Sequence, residues 1–324
     1  MIDAKIRFNL VRGANMKVED EPTARQRGIR VYDELKKRGW DAGRWDGWST
    51  ADVIVGQYSP ISVQQAIPFC DYVIWDCNDA LFLPHHCESH LVGPALDDAA
   101  WVTTGSERIA EHLRARTGGS PCISYMPEAI DSMYATVKRA PEAFLTIMWM
   151  GMQDNLVYID DIDPMLSALA AQFEFEVVFV CPAHTGAGGS NVAAVGSKPY
   201  ETRHVVWTPK SVVKEMCGAA IAIVPLYQCE WCWCKSANKA ATFAAVGIPT
   251  VASDVPPYRE FIEHGVNGYL AFSPDDWYDP LKLLLESEKL RKKIGSAGKK
   301  TASKRYSISA VADEWERVLT RVLT

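Results

Sequence analysis

Short apolar runs alternate with helix-like stretches along the first part of the chain. These runs lie at residues 6–11, 51–56, 72–75, 101–104 and 122–125. They are rich in Val, Ile and Trp, and polar residues follow them. Between them, residues 23–38 repeat apolar side chains at helical spacing and end at Gly39, and a helix is predicted to begin at Ser106. Short strands that alternate with helices are typical of a parallel sheet covered by helices on both faces.

The same pattern restarts after a polar, proline-containing segment at residues 138–142, which we interpret as a linker. Further strands and helices are predicted at 145–150, 164–172, 176–180, 205–207, 211–218 and 220–224. Two such series predict an α/β protein with two Rossmann-like domains, at residues 1–139 and 140–306. A last helix at about 309–323 carries an apolar stripe made of Val311, Trp315, Val318, Leu319 and Val322.

The segment Lys235-Ser-Ala-Asn-Lys239 is the first candidate for chemistry. On a helix, Lys235 and Lys239 share one face, and Ser236 is a plausible N-cap. A helix amino end with two ammonium groups is suited to a diphosphate. A surface helix with two solvated lysines is the alternative interpretation. Gly247 and Pro249 end the predicted helix, and residues 250–253 form the next predicted strand.

From Lys235 onward the chain resembles the C-terminal half of family 4 glycosyltransferases, which are retaining enzymes of group 1 with the GT-B fold. The matching residues are Val246-Gly-Ile-Pro-Thr-Val-Ala-Ser253, residues 257–270, Trp277 and the closing residues 306–319. The resemblance implies two domains that face each other across a cleft, with a C-terminal helix, about 307–324, that crosses back to the first domain. The resemblance is weaker in the first domain.

The resemblance also implies a reaction, the transfer of a sugar from a nucleotide-diphosphate sugar to a hydroxyl acceptor with retention. Lys235 and Lys239 would stabilise the departing diphosphate without a metal ion. Ser236 and Asn238 would orient phosphate or sugar hydroxyls. The acceptor could be a saccharide, a lipid-linked glycan or a modified nucleic acid.

Other donor-side residues follow from the same resemblance. Gly151 and Asn155 correspond to the glycine loop that opens the donor domain, and Trp207 would wall the nucleobase unless it is a core residue. Thr242 stands where the family has a glutamate for the donor ribose, and a threonine offers fewer hydrogen bonds there. This departure leaves open a catalytically silent relative that only binds sugar nucleotides.

Acceptor-side candidates lie in the first domain. Asp79 closes the segment Asp76-Cys-Asn-Asp79 after a predicted buried strand, and with His85 or His86 it would orient the acceptor. Arg25 and Arg27 resemble the arginine-containing helix of the acceptor domain, and surface salt bridges are the competing explanation.

No metal site is predicted. Cys229, Cys232 and Cys234 lie close together but have no second pair at the spacing of a structural zinc site. His86 and His90 form an incomplete set as well. The Cys/Trp segment at 229–234 is more consistent with a donor loop that shapes the sugar pocket.

Composition restricts the partners. Among 324 residues 48% are hydrophobic and 23% charged, and the net charge is −6, which does not favour a general attraction to nucleic acid. The basic stretch 289–305 is the exception, as a solvated helix face or as a contact for anionic lipids or nucleic acid. A contact with nucleic acid would fit a transferase that acts on a hydroxylated base.

The cellular location is predicted from cysteine usage and hydropathy. Nine cysteines lack the spacing of a disulfide framework, and the amino terminus lacks an apolar signal segment. The apolar run at 219–226 is too short to span a bilayer. We therefore expect a cytoplasmic protein without a transmembrane segment.

Overall fold

The computed structural model describes residues 4–10, 18, 23–140, 144–182 and 198–324. Val11, at the end of the predicted first strand, and residues 141–142 of the predicted linker lie outside these ranges.

Twelve strands form two separate sheets in the described part of the chain. They are β1 (Lys5–Asn9), β2 (Asp41–Arg44), β3 (Ala51–Gln57), β4 (Cys70–Cys77), β5 (Trp101–Thr104), β6 (Cys122–Tyr125), β7 (Thr146–Met150), β8 (Glu176–Cys181), β9 (Glu201–Val206), β10 (Ile221–Val224), β11 (Thr250–Ser253) and β12 (Tyr269–Ala271).

The α-helices connect these strands or follow them. They are α1 (Arg30–Lys37), α2 (Ile61–Ala66), α3 (Val92–Asp98), α4 (Glu107–Thr117), α5 (Ser132–Ala135), α6 (Val157–Asp160), α7 (Asp163–Ala170), α8 (Pro209–Gly218), α9 (Glu230–Trp233), α10 (Asn238–Val246), α11 (Pro256–Arg259), α12 (Tyr278–Glu286), α13 (Glu288–Tyr306) and α14 (Ile308–Leu323). A π-helical segment, Ala24–Ile29, leads into α1.

Both sheets are six-stranded and parallel, which confirms the predicted α/β class. Their strand orders are β2-β1-β3-β4-β5-β6 and β12-β11-β10-β7-β8-β9. The pattern did not predict β2 and β12, because both are short edge strands and β2 contains no apolar run. The other ten strands overlap the predicted runs, and β5, β6 and β11 have the predicted bounds.

The first compact unit contains the first sheet. Its described residues fall within Met1–Ile130, Cys229–Ser236 and Lys304–Thr324. The sequence placed this boundary at residue 139 and assigned residues 229–236 to the other domain. Residues 229–236 join the first unit because their side chains and backbone bond to α4, as described below.

Helix α14 packs on one face of the first sheet. Its predicted stripe is buried at Val311, Trp315 and Leu319, and the Trp315 ring meets Phe8 edge-on at 5.6 Å between centroids. Arg38 of the segment after α1 pairs with an acidic residue of α14, Glu316, at 2.8 Å. The predicted C-terminal helix is thus confirmed as part of the first unit.

The second compact unit contains the second sheet, and its described residues fall within Asp131–Gln228 and Ala237–Ser303. Its core includes Ile147 and Phe179 from the sheet together with Leu166, Leu281 and Ile294 from the surrounding helices. None of the helices in the described ranges combines the length and the apolar character needed to cross a bilayer.

Candidate functional site

In open parallel α/β sheets, ligands bind beyond the carboxyl ends of the strands, so these edges are the places to search for a site. At the carboxyl edge of the first sheet lies a buried ion pair. Arg27, from the π-helical segment, donates to Asp76 of β4 at 2.9 and 2.5 Å and to the Met126 carbonyl at 2.8 Å. The Thr103 hydroxyl donates to the same carboxylate at 2.7 Å.

Both members of this pair are fully buried. Burial opposes the charge on Arg27, but the attraction and hydrogen bonds of Asp76 outweigh it, and the pKa of Arg27 is raised. Arg27 was predicted on the acceptor side, with surface salt bridges as the alternative. The structure shows a buried ion pair that joins the π-helical segment to β4. Arg25, predicted with it, is half-buried on the same segment.

Also in the first unit, several predicted site residues meet around Trp231 of α9. The Lys235 ammonium lies 4.0 Å from the centre of the Trp231 ring and pairs with Asp79 at 3.0 Å. His86 stacks on the same ring at 6.4 Å, and His85 lies tilted at 6.2 Å. The structure therefore brings together a lysine predicted to bind phosphate and an aspartate predicted to orient the acceptor, both only partly exposed.

The segment that carries Trp231 is attached to α4. Arg108 donates to both oxygens of Glu230 at 2.9 and 3.1 Å, and His112 lies 2.6 Å from one of them. The Ser106 hydroxyl, which also caps α4, donates to the Cys234 carbonyl at 2.9 Å. The Arg108 hydrogen bonds lower the pKa of Glu230, and His112 adds to the effect. This network fixes the position of Lys235.

His112, Glu230 and Cys234 are the group of possible metal ligands in the described part of the chain, with ligand atoms within 4.8 Å of one another. Their present chemistry does not favour an ion. Arg108 already occupies both oxygens of Glu230, and burial raises the pKa of Cys234 to about 12, so that its thiol keeps its proton. An ion would have to displace both the guanidinium and the thiol proton.

The carboxyl edge of the second sheet carries the predicted donor-side residues. Gly151 follows β7, and a Cβ at this position would lie 2.6 Å from the Trp149 ring, so the tryptophan packing requires a glycine here. Asn155 lies in the next helical turn, where its backbone N–H donates to the Met152 carbonyl at 3.0 Å. Trp207 follows β9 and is half-buried.

Helix α10 begins at the same edge. It lies between β10 and β11, which are parallel neighbours, so it runs opposite to them and its amino end lies beside their carboxyl ends. The helix begins at Asn238, so the prediction that Ser236 caps it is wrong. Its N-cap is Ala237, and within the described ranges no side chain caps it. Lys239 stands in the first turn, and Lys235 precedes the helix.

Thr242 is buried one turn further along α10. Its hydroxyl donates to the Asn238 side-chain oxygen at 3.1 Å, so the polar groups of the two residues meet. Gly247 ends the helix in a left-handed conformation with a φ of 85°, as its position before Ile248 and Pro249 predicted.

Sequence reasoning missed three contacts at these edges. The pairs Arg27–Asp76 and Arg108–Glu230 join residues 49 and 122 positions apart, and local patterns hold no signal for such contacts. Trp231 was predicted only as one wall of a sugar pocket. Its contact with Lys235 could have been anticipated from their separation of four residues.

Comparison with known proteins gives one family. Residues 243–301 match the model of Glycosyl transferases group 1, and the match begins inside α10 and extends into α13. No curated protein is similar enough to the chain to be matched to it.

Solved structures share this fold at low identity. Anabaena HepE, solved with UDP-glucose, is 12% identical with a TM-score of 0.71, and the alignment covers 98% of this chain and 100% of HepE. A glycosyltransferase from Rickettsia africae is 12% identical with a TM-score of 0.70, and both chains are covered completely. Sucrose-phosphate synthase from Thermosynechococcus elongatus is 11% identical with a TM-score of 0.64, covering 92% of this chain and 78% of the synthase.

These neighbours show that the chain has the GT-B fold. The family match covers residues 243–301 within this fold and is consistent with the predicted class, a glycosyltransferase.

Proposed function

We propose that the protein transfers a sugar from a nucleotide-diphosphate sugar to a hydroxyl acceptor, with retention of the anomeric configuration. The observation that carries the proposal is the amino end of α10, which lies at the carboxyl edge of the second sheet. Asn238 and Lys239 stand in its first turn, and the family match begins at residue 243 of the same helix.

The chemistry of the leaving group supports this assignment. When the bond between the anomeric carbon and the phosphate oxygen breaks, negative charge develops on the nucleoside diphosphate. Uncapped backbone N–H groups at a helix amino end, together with the positive end of the helix dipole, attract such a charge. The Lys239 ammonium adds a full positive charge in the same turn. A fixed charge of this kind stabilises the transition state without a metal ion.

The rest of the donor would lie along the same edge. Gly151 leaves the backbone after β7 accessible, Asn155 offers an amide, and Trp207 offers a flat apolar face for the nucleobase. Thr242 and Asn238 share a hydrogen bond, so they would bind a ribose or sugar hydroxyl as a pair. HepE, which has the same fold, was solved with UDP-glucose, and this makes UDP-glucose the first donor to test.

The acceptor side of the proposal rests on the residues around Trp231. Asp79 would accept a hydrogen bond from the acceptor hydroxyl, while Lys235 holds the carboxylate in place. His85 and His86 would contact the rest of the acceptor. In the retaining reaction the acceptor oxygen bonds to the anomeric carbon on the face that the diphosphate leaves, and the departing phosphate oxygen takes the acceptor proton.

We also propose a cytoplasmic, reducing environment. All nine cysteines are free thiols, and Cys77, Cys181, Cys232 and Cys234 are buried. Reduced thiols are the usual state inside the cell.

Thermal unfolding in the presence of UDP-, GDP-, ADP- and dTDP-sugars tests the donor assignment. A donor at one hundred times its dissociation constant adds about 2.7 kcal/mol of stability, so one nucleotide class should raise the melting temperature well above the others. Release of the free nucleotide then separates a transferase from a protein that only binds the donor. The anomeric configuration of the sugar product tests whether the reaction proceeds with retention.

Two results would contradict the proposal. If no nucleotide sugar stabilises the protein, the donor site is absent. If a donor binds but no sugar is released or transferred to any offered hydroxyl compound, the protein is a silent relative. Parallel samples with and without EDTA serve as the control for metal dependence, and loss of turnover only in EDTA would argue against leaving-group stabilisation by the protein alone.

A further inference from the structure

Helix α13 presents a row of lysines to solvent. We call this row the lysine face and define it by the five exposed side chains that stand in the second compact unit: Lys289, Lys292, Lys293, Lys299 and Lys300. The donor chemistry described above uses none of them.

The five lysines share one side of the helix. At 3.6 residues per turn their side chains fall within a sector of about 120°, and at 1.5 Å per residue they extend over about 16 Å of its length. Ser296 is exposed in the middle of the same sector, so no large or apolar side chain interrupts it. The lysine face is therefore a narrow, continuous positive strip.

The opposite side of α13 is held firmly against the second unit. Ile294 and Ala302 are fully buried, and Gly295 lies so close to the Gly247 carbonyl that a Cβ there would clash. The Asn267 side chain donates to Thr301 at 3.2 Å. Because the helix is anchored in this way, the lysine face has a fixed orientation relative to its unit.

Within the sequence of α13 the one acidic side chain is Glu288, at the start of the helix. Glu288 pairs with Lys292 at 2.5 Å, and both side chains are largely exposed. Lys293, Lys299 and Lys300 lie beyond that pair. The protein as a whole carries a net charge of −6, so this positive strip contrasts with the rest of the molecule. A strip of like charge that is left exposed on an acidic protein attracts a partner that is locally dense in negative charge.

We propose that the lysine face binds the anionic headgroups of a lipid bilayer. Each lysine near an anionic lipid surface strengthens binding by about fivefold, and this attraction needs no specific pocket. A straight, rigid helix side can bring several ammonium groups to one plane at the same time. Binding there would keep the enzyme at a membrane without any segment that inserts into it.

The composition of the strip favours lipid over nucleic acid. Proteins that bind single-stranded nucleic acid place aromatic rings among the basic residues, and those that read duplex bases commonly use the bidentate guanidinium of arginine. The lysine face contains neither aromatic rings nor arginine, since Arg291 is buried and donates to the Leu284 carbonyl at 2.6 Å. Lysine ammonium groups are compact point charges, which suit mobile headgroups.

Sedimentation with large vesicles tests this proposal on the whole 324-residue chain. Vesicles of phosphatidylcholine with about one third phosphatidylglycerol should bind the protein at low salt and release it at high salt, because the attraction is screened. Vesicles of phosphatidylcholine alone should not bind it. The triple variant Lys293→Gln/Lys299→Gln/Lys300→Gln should bind the anionic vesicles about 100-fold more weakly, from about fivefold per lysine.

The matched control removes the same charge elsewhere. Lys36, Lys210 and Lys214 are exposed on α1 and α8, and their triple replacement by Gln should reduce vesicle binding far less than the α13 variant. Equal effects of the two triple variants would overturn the proposal, because net charge alone would then explain binding. Absence of binding to anionic vesicles would overturn it as well. Tighter binding to duplex or single-stranded DNA than to the vesicles would assign the face to nucleic acid.

This test is independent of the donor site. Donor-induced stabilisation in solution should be the same in the α13 variant and in the unaltered protein. Failure of vesicle binding would therefore leave the transferase proposal intact, and failure of donor binding would leave the lipid proposal intact.

Discussion

The carboxyl edges of the two sheets are built in different ways. At the first sheet, the charged groups pair with each other, as in the buried pair Arg27–Asp76 and the partly exposed pair Lys235–Asp79. At the second sheet, the edge offers a glycine turn after β7, the half-buried Trp207 and the uncapped amino end of α10. The charges at the first edge are thus neutralised by ion pairs within the protein, whereas the second edge presents the backbone N–H groups at the start of α10.

This difference indicates a division of labour. An edge whose charges are internally paired is stabilised by those pairs and can present hydrogen-bond acceptors to a neutral hydroxyl compound. A helix amino end without a side-chain cap is suited to an anion, because its backbone N–H groups and the positive end of the helix dipole attract negative charge. The comparison predicts that substitutions at the first edge mainly change stability and those at the second mainly change donor chemistry.

The largest effect on stability should come from Arg27→Met. The substitution leaves Asp76 buried without its cation, and breaking a buried pair in this way costs about 3–5 kcal/mol. Urea unfolding measures the free energy of unfolding directly. The double variant Arg27→Met/Asp76→Leu removes both charges and should recover most of the loss.

An exposed pair provides the control for this prediction. Arg114 pairs with Glu107 at the surface, and Arg114→Met should change the free energy of unfolding by less than about 1 kcal/mol. If Arg27→Met has an effect as small as Arg114→Met, the buried pair does not stabilise the first edge and the comparison fails.

The largest effect on catalysis should come from Lys239→Ala. Loss of a charge that stabilises the departing diphosphate lowers turnover by about 100-fold, equivalent to about 2.7 kcal/mol. The melting temperature without ligand should stay nearly unchanged, since Lys239 is only half-buried. Initial rates of donor turnover and thermal unfolding with and without donor measure both effects.

Lys235→Ala provides the comparison within the same segment. Its ammonium is partly neutralised by Asp79, so we expect a smaller loss of turnover, about tenfold. A loss at Lys235 as large as that at Lys239 would show that both lysines bind the diphosphate equally, as their spacing in the sequence first indicated. An unchanged rate in Lys239→Ala would move the donor site away from α10.

A smaller effect is expected from Glu230→Gln at the first edge. The carboxylate accepts hydrogen bonds from Arg108 and contacts His112, but it is about one third exposed, so solvent screening limits the loss to about 1 kcal/mol. Glu111→Gln removes the more exposed partner of Arg108 and should have almost no effect. Equal losses in the two variants would show that Glu230 does not attach the Trp231 segment.

The Glu230 contribution should also depend on pH. Hydrogen bonds from Arg108 lower the pKa of Glu230 below the ordinary value of 4.5. Its stabilising effect is therefore complete above that value and is lost as the pH falls through the lowered pKa of the folded state. The difference between the protein and Glu230→Gln should shrink in acid, and a constant difference would contradict this assignment.

Much of the architecture could be predicted from local patterns. The buried runs at β5, β6 and β11, the cap at Ser106 and the helix end at Gly247 are all as expected, because apolar periodicity and capping act over only a few residues. The prediction failed at Ser236, where a turn after α9 delays the helix start to Asn238. The local preference of serine for the N-cap position does not predict such a turn.

The sequence by itself determined two parallel α/β units, the lysine-bearing segment before β11 and the solvent-facing basic stretch of α13. Only the tertiary structure decided that Asp79 pairs with Lys235, that Arg27 forms a buried ion pair with Asp76 and that Arg108 attaches Glu230 to α4. The physical reason is that strands and helices follow from interactions between near neighbours in the sequence. Ion pairs between residues far apart in the chain form only after folding has brought those residues together.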